Sequence, residues 1–266
     1  MTETAPAPTE DAKFVTGSLM RHVVVMALSG TFGLMFTFLV DFLALWWIAR
    51  LGREELIAAV GIAGTIQFAV ISVSIGLMIG AVALVARNIG MGRRGDARRI
   101  ATMATVLTTV VMTAVSLLVV VFRDPILRLS GAEGVVLDEA GRFLLVSLPS
   151  MPLIAIGMVT SSVLRAVGDA WRSMAVTMVG GAVAVVVDPL LIVWMGWGVT
   201  GAAVSIVLAR LAMAALGLWY AIRVHDMLAR PAFMDVTVFL SPYLGIALPA
   251  IATQVATPFG NWILTR

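Results

Sequence analysis

Three ionisable residues interrupt otherwise apolar stretches of this sequence: Asp41, Asp188 and Arg210. A charge in hydrocarbon costs about 2.5 kcal/mol or more, so each needs a partner, a bound ion or a wet cavity. Asp41 falls 20 residues after Arg21 and nine before Arg50, and Asp188 falls 16 after Arg172 and eight before Gly196. At about 1.5 Å per helical residue, both carboxyls lie roughly 12–14 Å from the same end of their helices. Two acids at one depth on separate helices can face one cavity, and their repulsion favours a proton or a monovalent cation held between them. That is the chemistry of an ion-coupled switch; the plainer reading is an Asp that only caps or hydrogen-bonds nearby backbone. Pro189 removes a backbone donor beside Asp188 and frees a carbonyl near Ala184, a kind of break that lines ion pathways. Arg210, two or three residues deeper, is long enough to reach Asp188 as a counter-ion. Snorkelling or a packing salt bridge is the alternative.

The elements that must carry these residues are transmembrane helices. Of 266 residues, 61% are hydrophobic and 12% charged, and the mean hydropathy is +1.04, well beyond a soluble domain. Residues 56–86, 100–122, 143–164 and 236–265 contain no Asp, Glu, Lys or Arg, and 22–49, 173–195 and 199–222 contain one each. About 20 apolar residues cross a bilayer as a helix, so seven spans are expected. A membrane barrel would show alternating polarity, which is absent. The expected fold is therefore an all-α, polytopic transmembrane helix bundle.

Cysteine is absent and the two histidines, His22 and His225, fall at span ends, so no metal site, cofactor or disulfide is expected. Residues 1–14, rich in Thr, Ala, Pro and acids, lack signal-peptide features and read as a disordered tail. Basic residues divide unequally between alternate loops: eleven accompany the tail and loops 87–99, 165–172 and 223–235, against five on the other side. The positive-inside rule then makes the N-terminus cytoplasmic. Nothing resembles a nucleic-acid surface. Met151, Met158, Met174 and Met178 offer flexible thioethers suited to hydrophobic ligands, though scattered Met is also ordinary packing. Trp46, Trp47, Trp194 and Trp197 fit an interfacial belt. Glycines 76, 80, 180, 181 and 201 permit close helix approach.

Several segments resemble multidrug and toxic compound extrusion (MATE) transporters. They are Asp41-Phe-Leu-Ala-Leu-Trp-Trp-Ile-Ala-Arg-Leu-Gly52, Leu56-Ile-Ala-Ala-Val-Gly-Ile-Ala63, Gly76-Leu-Met-Ile-Gly80 with Val85-Ala-Arg-Asn-Ile-Gly-Met-Gly92, Leu164-Arg-Ala-Val-Gly-Asp169, Asp188-Pro-Leu-Leu-Ile192 and Gly196-Trp-Gly-Val-Thr-Gly-Ala-Ala203. The resemblance spans roughly residues 15–266. It implies an antiporter exporting amphipathic, often cationic compounds against inward H+ or Na+ flow, in the bacterial inner membrane. The acid pair resembles the DNA-damage-inducible-like branch, which implies ion coupling through Asp41 and Asp188, with Ser205 and Arg210 as further candidates. Thr37, Met158 and Ser161 are the candidate substrate contacts. Ala184 stands where that branch usually has Asn, and Gly201-Ala-Ala-Val-Ser-Ile206 departs from Gly-Ala-Ala-x-Ala-Thr; fewer oxygen ligands favour H+ over Na+.

Family members have two six-helix lobes. The implied division is a six-helix lobe at 15–222, a cytoplasmic linker at 223–235, and at 236–266 the first helix of a second lobe whose remainder would be a partner. At an offset of 220, Ala27-Leu28 aligns with Ala247-Leu248, Thr37 with Thr257 and Asp41 with Asn261. The alternatives are a natural seven-span protein, a non-transporting fragment, or a lipid-linked oligosaccharide flippase of the same superfamily, which would want a more basic cavity. A retinal receptor needs a lysine in a span, and the only lysine is Lys13. No metalloprotease or nucleophile-elbow motif points to an enzyme.

Overall fold

The computed structural model describes residues 19–230 and 233–264, so the expectations for the 1–14 tail fall outside the described residues. Among these described residues nine α-helices follow in order: α1 Leu19–Ala49, α2 Glu54–Gly90, α3 Arg94–Val121, α4 Arg123–Leu129, α5 Gly134–Ser147, α6 Met151–Ala166, α7 Ala170–Asp188, α8 Gly198–Trp219 and α9 Phe233–Leu264. Among the described residues, seven helical stretches are long and apolar enough to cross a membrane, and the chain is a multi-pass membrane protein. The fourth span is α5 and α6 joined through a 3-10 turn at Leu148–Ser150, because Pro149 has no N–H to continue the α-helical ladder.

Two features depart from the runs read in the sequence. Span 4 begins at Gly134, not near 143, and its first turns carry Asp138, Glu139 and Arg142, with Glu139 and Arg142 paired at 3.5 Å. The short α4 also lies in what reads as a loop. Charges end an uncharged run, but they do not end a helix that continues into the headgroup zone.

Packing relies on small residues, since lipid gives apolar helix faces no reason to separate from it. A methyl added at glycines 76, 80, 180, 181 or 201 would crowd a neighbouring helix. At Gly76 it would press on the Ile251 backbone of α9, and at Gly201 it would lie 2.8 Å from the Leu191 carbonyl. α2 therefore packs closely on α9, and α8 on the turn after α7. Tyr243 of α9 is fully buried and donates to the Leu77 carbonyl of α2 at 2.7 Å. Span 7 thus lies mainly against span 2, with a smaller contact to span 3.

One end of the bundle gathers the loops 91–93, 167–169 and 225–230, and we call it the basic end. Here the segment after α8 is strapped to the lobe. Arg94 donates to the His225 carbonyl at 2.8 Å, and Arg98 donates to the Leu228 carbonyl at 3.0 Å and pairs with Asp226 at 2.8 Å. The Ala229 N–H donates to Thr102 Oγ1 at 2.7 Å. Met227 is fully buried, and Asp226 adopts a φ of +46° to make the turn.

Candidate functional site

Asp188 is the last residue of α7, followed by a π turn at Pro189–Trp194. Pro189 cannot donate, and the chain widens so that the Met195 N–H reaches back five residues to the Leu190 carbonyl; π turns of this kind recur at functional sites. Asp188 is only 3% exposed. α1 packs along α7 and brings Asp41 close enough for the two carboxylates to interact electrostatically. Asp41 itself remains exposed on the lobe's face. Ser205 of α8 lies beside the Asp188 carboxyl, yet its fully buried hydroxyl meets no partner in hydrogen-bonding geometry. Among the described residues, no ion pair reaches either acid. The acid pair is thus half-buried and short of donors, an arrangement suited to a proton or a small cation.

Thr37 shares a face of α1 with Asp41, four residues away, and is also exposed, its hydroxyl donating to the Gly33 carbonyl at 3.0 Å. Met158 of α6 is half-buried. Ser161 lies elsewhere. It pairs with Ser173 at 2.9 Å, and Ser173 is 15 residues, about 22 Å along α7, from Asp188. Thr37 thus lies one turn from Asp41, whereas Ser161 lies toward the far end of α7 from Asp188.

Arg210 does not meet Asp188, contrary to the expectation of a counter-ion. It is 5% exposed and donates through Nη1 to the Ser147 carbonyl and to Ser150 Oγ, both at 2.8 Å, and through Nη2 to Gln67 Oε1 at 2.5 Å. Gln67 in turn donates to Ser147 Oγ at 3.0 Å. The reason lies in span 4: the 3-10 turn around Pro149 releases carbonyls from the ladder, and a guanidinium fork on α8 satisfies them. Gln67, Ser147 and Ser150 are absent from the sequence-based site. A lone amide in the uncharged run 56–86 and a proline in mid-span were the signals for them.

Asp169 caps α7, accepting from the Arg172 N–H at 3.1 Å, from the Arg172 guanidinium at 2.5 Å and from His225 Nε2 at 2.9 Å. Partial burial by itself would raise this carboxyl; the hydrogen bonds from Arg172 and His225 outweigh it and hold Asp169 below the usual carboxylate range.

A seven-span bundle with a buried acid at a helix break is an arrangement that recurs in membrane transporters. The MatE family model matches residues 31–190, and the chain belongs to that family of transporters. An FAD transporter from Shewanella oneidensis is 26% identical over 250 residues, covering 92% of this chain and 55% of the relative. A MOP superfamily transporter from Pyrococcus furiosus superposes with a TM-score of 0.84 at 24% identity, covering 94% of this chain and 56% of that one. An outward-facing multidrug resistance MATE family transporter gives 0.85 at 23%, with coverages of 94% and 56%. The chain spans about half the length of these relatives.

Proposed function

We propose that this chain is the ion-coupling lobe of an antiporter that exports amphipathic, often cationic compounds in exchange for inward H+. The observation that carries this reading is Asp188: buried, beside the unpartnered Ser205 hydroxyl, and within electrostatic range of Asp41. A proton or Na+ arriving there would relieve the repulsion between two acids. Because the acids sit on different helices, occupancy can bias how α1 lies against α7. H+ is preferred because Ala184 contributes no oxygen and Ser205 only one. Among the described residues no cation comes within ion-pairing distance of the acid pair, which speaks against the flippase alternative, a reading that wants a more basic central cavity. The proposed setting is a bacterial inner membrane with the basic end cytoplasmic, in keeping with the loop charges. Alternating access rocks one lobe against another, so the proposed partner in export is a second lobe, matching the other half of the relatives' length. The role is transport, with no catalytic residue assigned.

A second reading, export of an anionic dinucleotide, draws on the name of the Shewanella relative. Transport by the complete two-lobe protein in everted vesicles discriminates. Export of a cationic dye under an imposed pH gradient, lost in Asp41→Asn and Asp188→Asn at normal expression, supports coupling by H+. Dependence on a Na+ gradient would reassign the ion, and wild-type rates in both variants would remove the acids from coupling.

A further inference from the structure

A second cation, partly buried, has a different environment from Arg210. Arg165, in the last turn of α6, is only partly exposed and points between α2 and α7. Its Nη1 lies 3.3 Å from Ser161 Oγ and 3.1 Å from Ser173 Oγ, and its Nη2 lies 3.6 Å from Met78 Sδ, a weak acceptor. Among the described residues no carboxylate lies within ion-pairing distance of it. The nearest acid in sequence, Asp169, is already engaged by Arg172 and His225.

A guanidinium carries five N–H donors, and these contacts occupy two of its nitrogens. The side chain is partly exposed, and its remaining N–H donors meet no acceptor among the described residues beyond those just named. The two serine hydroxyls beside them are donors as well, and each can turn from its present acceptor toward an incoming oxygen. A fork of N–H groups flanked by two hydroxyls, with no counter-charge supplied by the protein, complements a group with several acceptor oxygens and negative charge.

We propose that Arg165, Ser161 and Ser173 form a seat for a phosphate-class oxyanion at the basic end of the lobe. Two sources share that chemistry: the phosphate of a solute entering the lobe, or the headgroup of an anionic phospholipid. The seat is about 22 Å along α7 from Asp188, so it is independent of the acid pair and of the coupling role given to it.

The test is binding rather than transport, which separates its failure from failure of the proposed function. The full chain is placed in phosphatidylcholine nanodiscs, and inorganic phosphate and pyrophosphate are titrated by calorimetry, with acetate as comparator. In parallel, retention of phosphatidylglycerol against phosphatidylcholine is read by native mass spectrometry. Binding of phosphate or pyrophosphate assigns a solute ligand, and selective retention of phosphatidylglycerol assigns a lipid headgroup. In either arm Arg165→Gln weakens binding by about tenfold or more, Arg165→Lys is intermediate because it keeps charge but loses the fork, and Ser173→Ala weakens it by a few-fold. Arg223→Gln, an exposed charge, leaves it unchanged. Should Arg165→Gln insert poorly, Arg165→Lys and Ser173→Ala carry the comparison. Wild-type affinity in all three variants, or no binding of phosphate, pyrophosphate or phosphatidylglycerol by the unaltered chain, overturns the proposal.

Discussion

Two polar clusters are buried in this lobe, and they are satisfied to opposite degrees. Around Arg210, a carboxamide, a hydroxyl and a released carbonyl accept from the guanidinium, the Gln67 amide also donates to Ser147 Oγ, and Ser150 Oγ donates to the Ser147 carbonyl. Around Asp188, a second acid sits nearby, a serine hydroxyl makes no hydrogen bond, and no cation comes within ion-pairing distance among the described residues. Both are buried charges in a membrane protein, yet only one has partners of its own. A complete network fixes helix positions, whereas an incomplete one keeps polar groups available to an ion. Burial alone would have ranked the two alike; the state of the hydrogen bonds separates structure from function.

The comparison breaks most visibly at the acids. Asp188→Asn is expected to lower ion-driven export by the complete transporter by about tenfold or more while leaving thermal stability nearly unchanged, since a neutral isostere removes a charge that lacked partners. An equal loss of stability and transport would erase the contrast. Arg210→Met should do the reverse, costing about 3 kcal/mol by stranding the Gln67 and Ser147 oxygens, seen as a lower unfolding temperature of the purified chain in detergent. Adding Gln67→Leu should restore part of that loss, because the two residues share one network. Gly201→Val sharpens the link between packing and site. Its side chain would press on the Leu191 carbonyl in the π turn beside Asp188, at a cost of about 2 kcal/mol, and proteolysis of the chain should accelerate accordingly.

The smallest effect concerns the strap at the basic end. Because the folded Asp169 carboxyl lies below its ordinary value, its contribution is fully present above about pH 4 and is lost as the pH falls through the lower folded value. Hydrogen exchange across 225–229 should therefore rise only under strongly acidic conditions, and Asp169→Asn should reproduce that rise at neutral pH. Unchanged protection in the variant would mean that the contacts of Arg94, Arg98 and Thr102 hold the strap by themselves.

Much of this was legible in the sequence, for definite reasons. Uncharged runs report span positions because hydrocarbon penalises charge, and counting along a helix placed Asp41 and Asp188 at one depth. The glycines that crowd neighbouring helices were likewise readable as small residues inside spans. What counting could not supply is rotation and partner choice. Counting put Arg210 close to Asp188 in depth, but its partners Gln67 and Ser147 are 143 and 63 residues away in sequence, and a proline-induced turn in another span decides the matter. The same limit hid the distance of Ser161 from Asp188 and concealed the unpaired state of Arg165. The charged start of α5 was hidden for the opposite reason, since the interface tolerates charges that a search for apolar runs treats as an end.

The claim that matters most is that Asp188, with Asp41, takes up the coupling ion. Infrared difference spectroscopy on the purified chain, stepping the pH with and without Na+, reads the protonated-carboxyl stretch directly. The account predicts a pH-dependent carboxyl band that Na+ leaves largely in place, that disappears in Asp188→Asn and that shifts in Asp41→Asn. A band identical in both variants and the unaltered chain would contradict it.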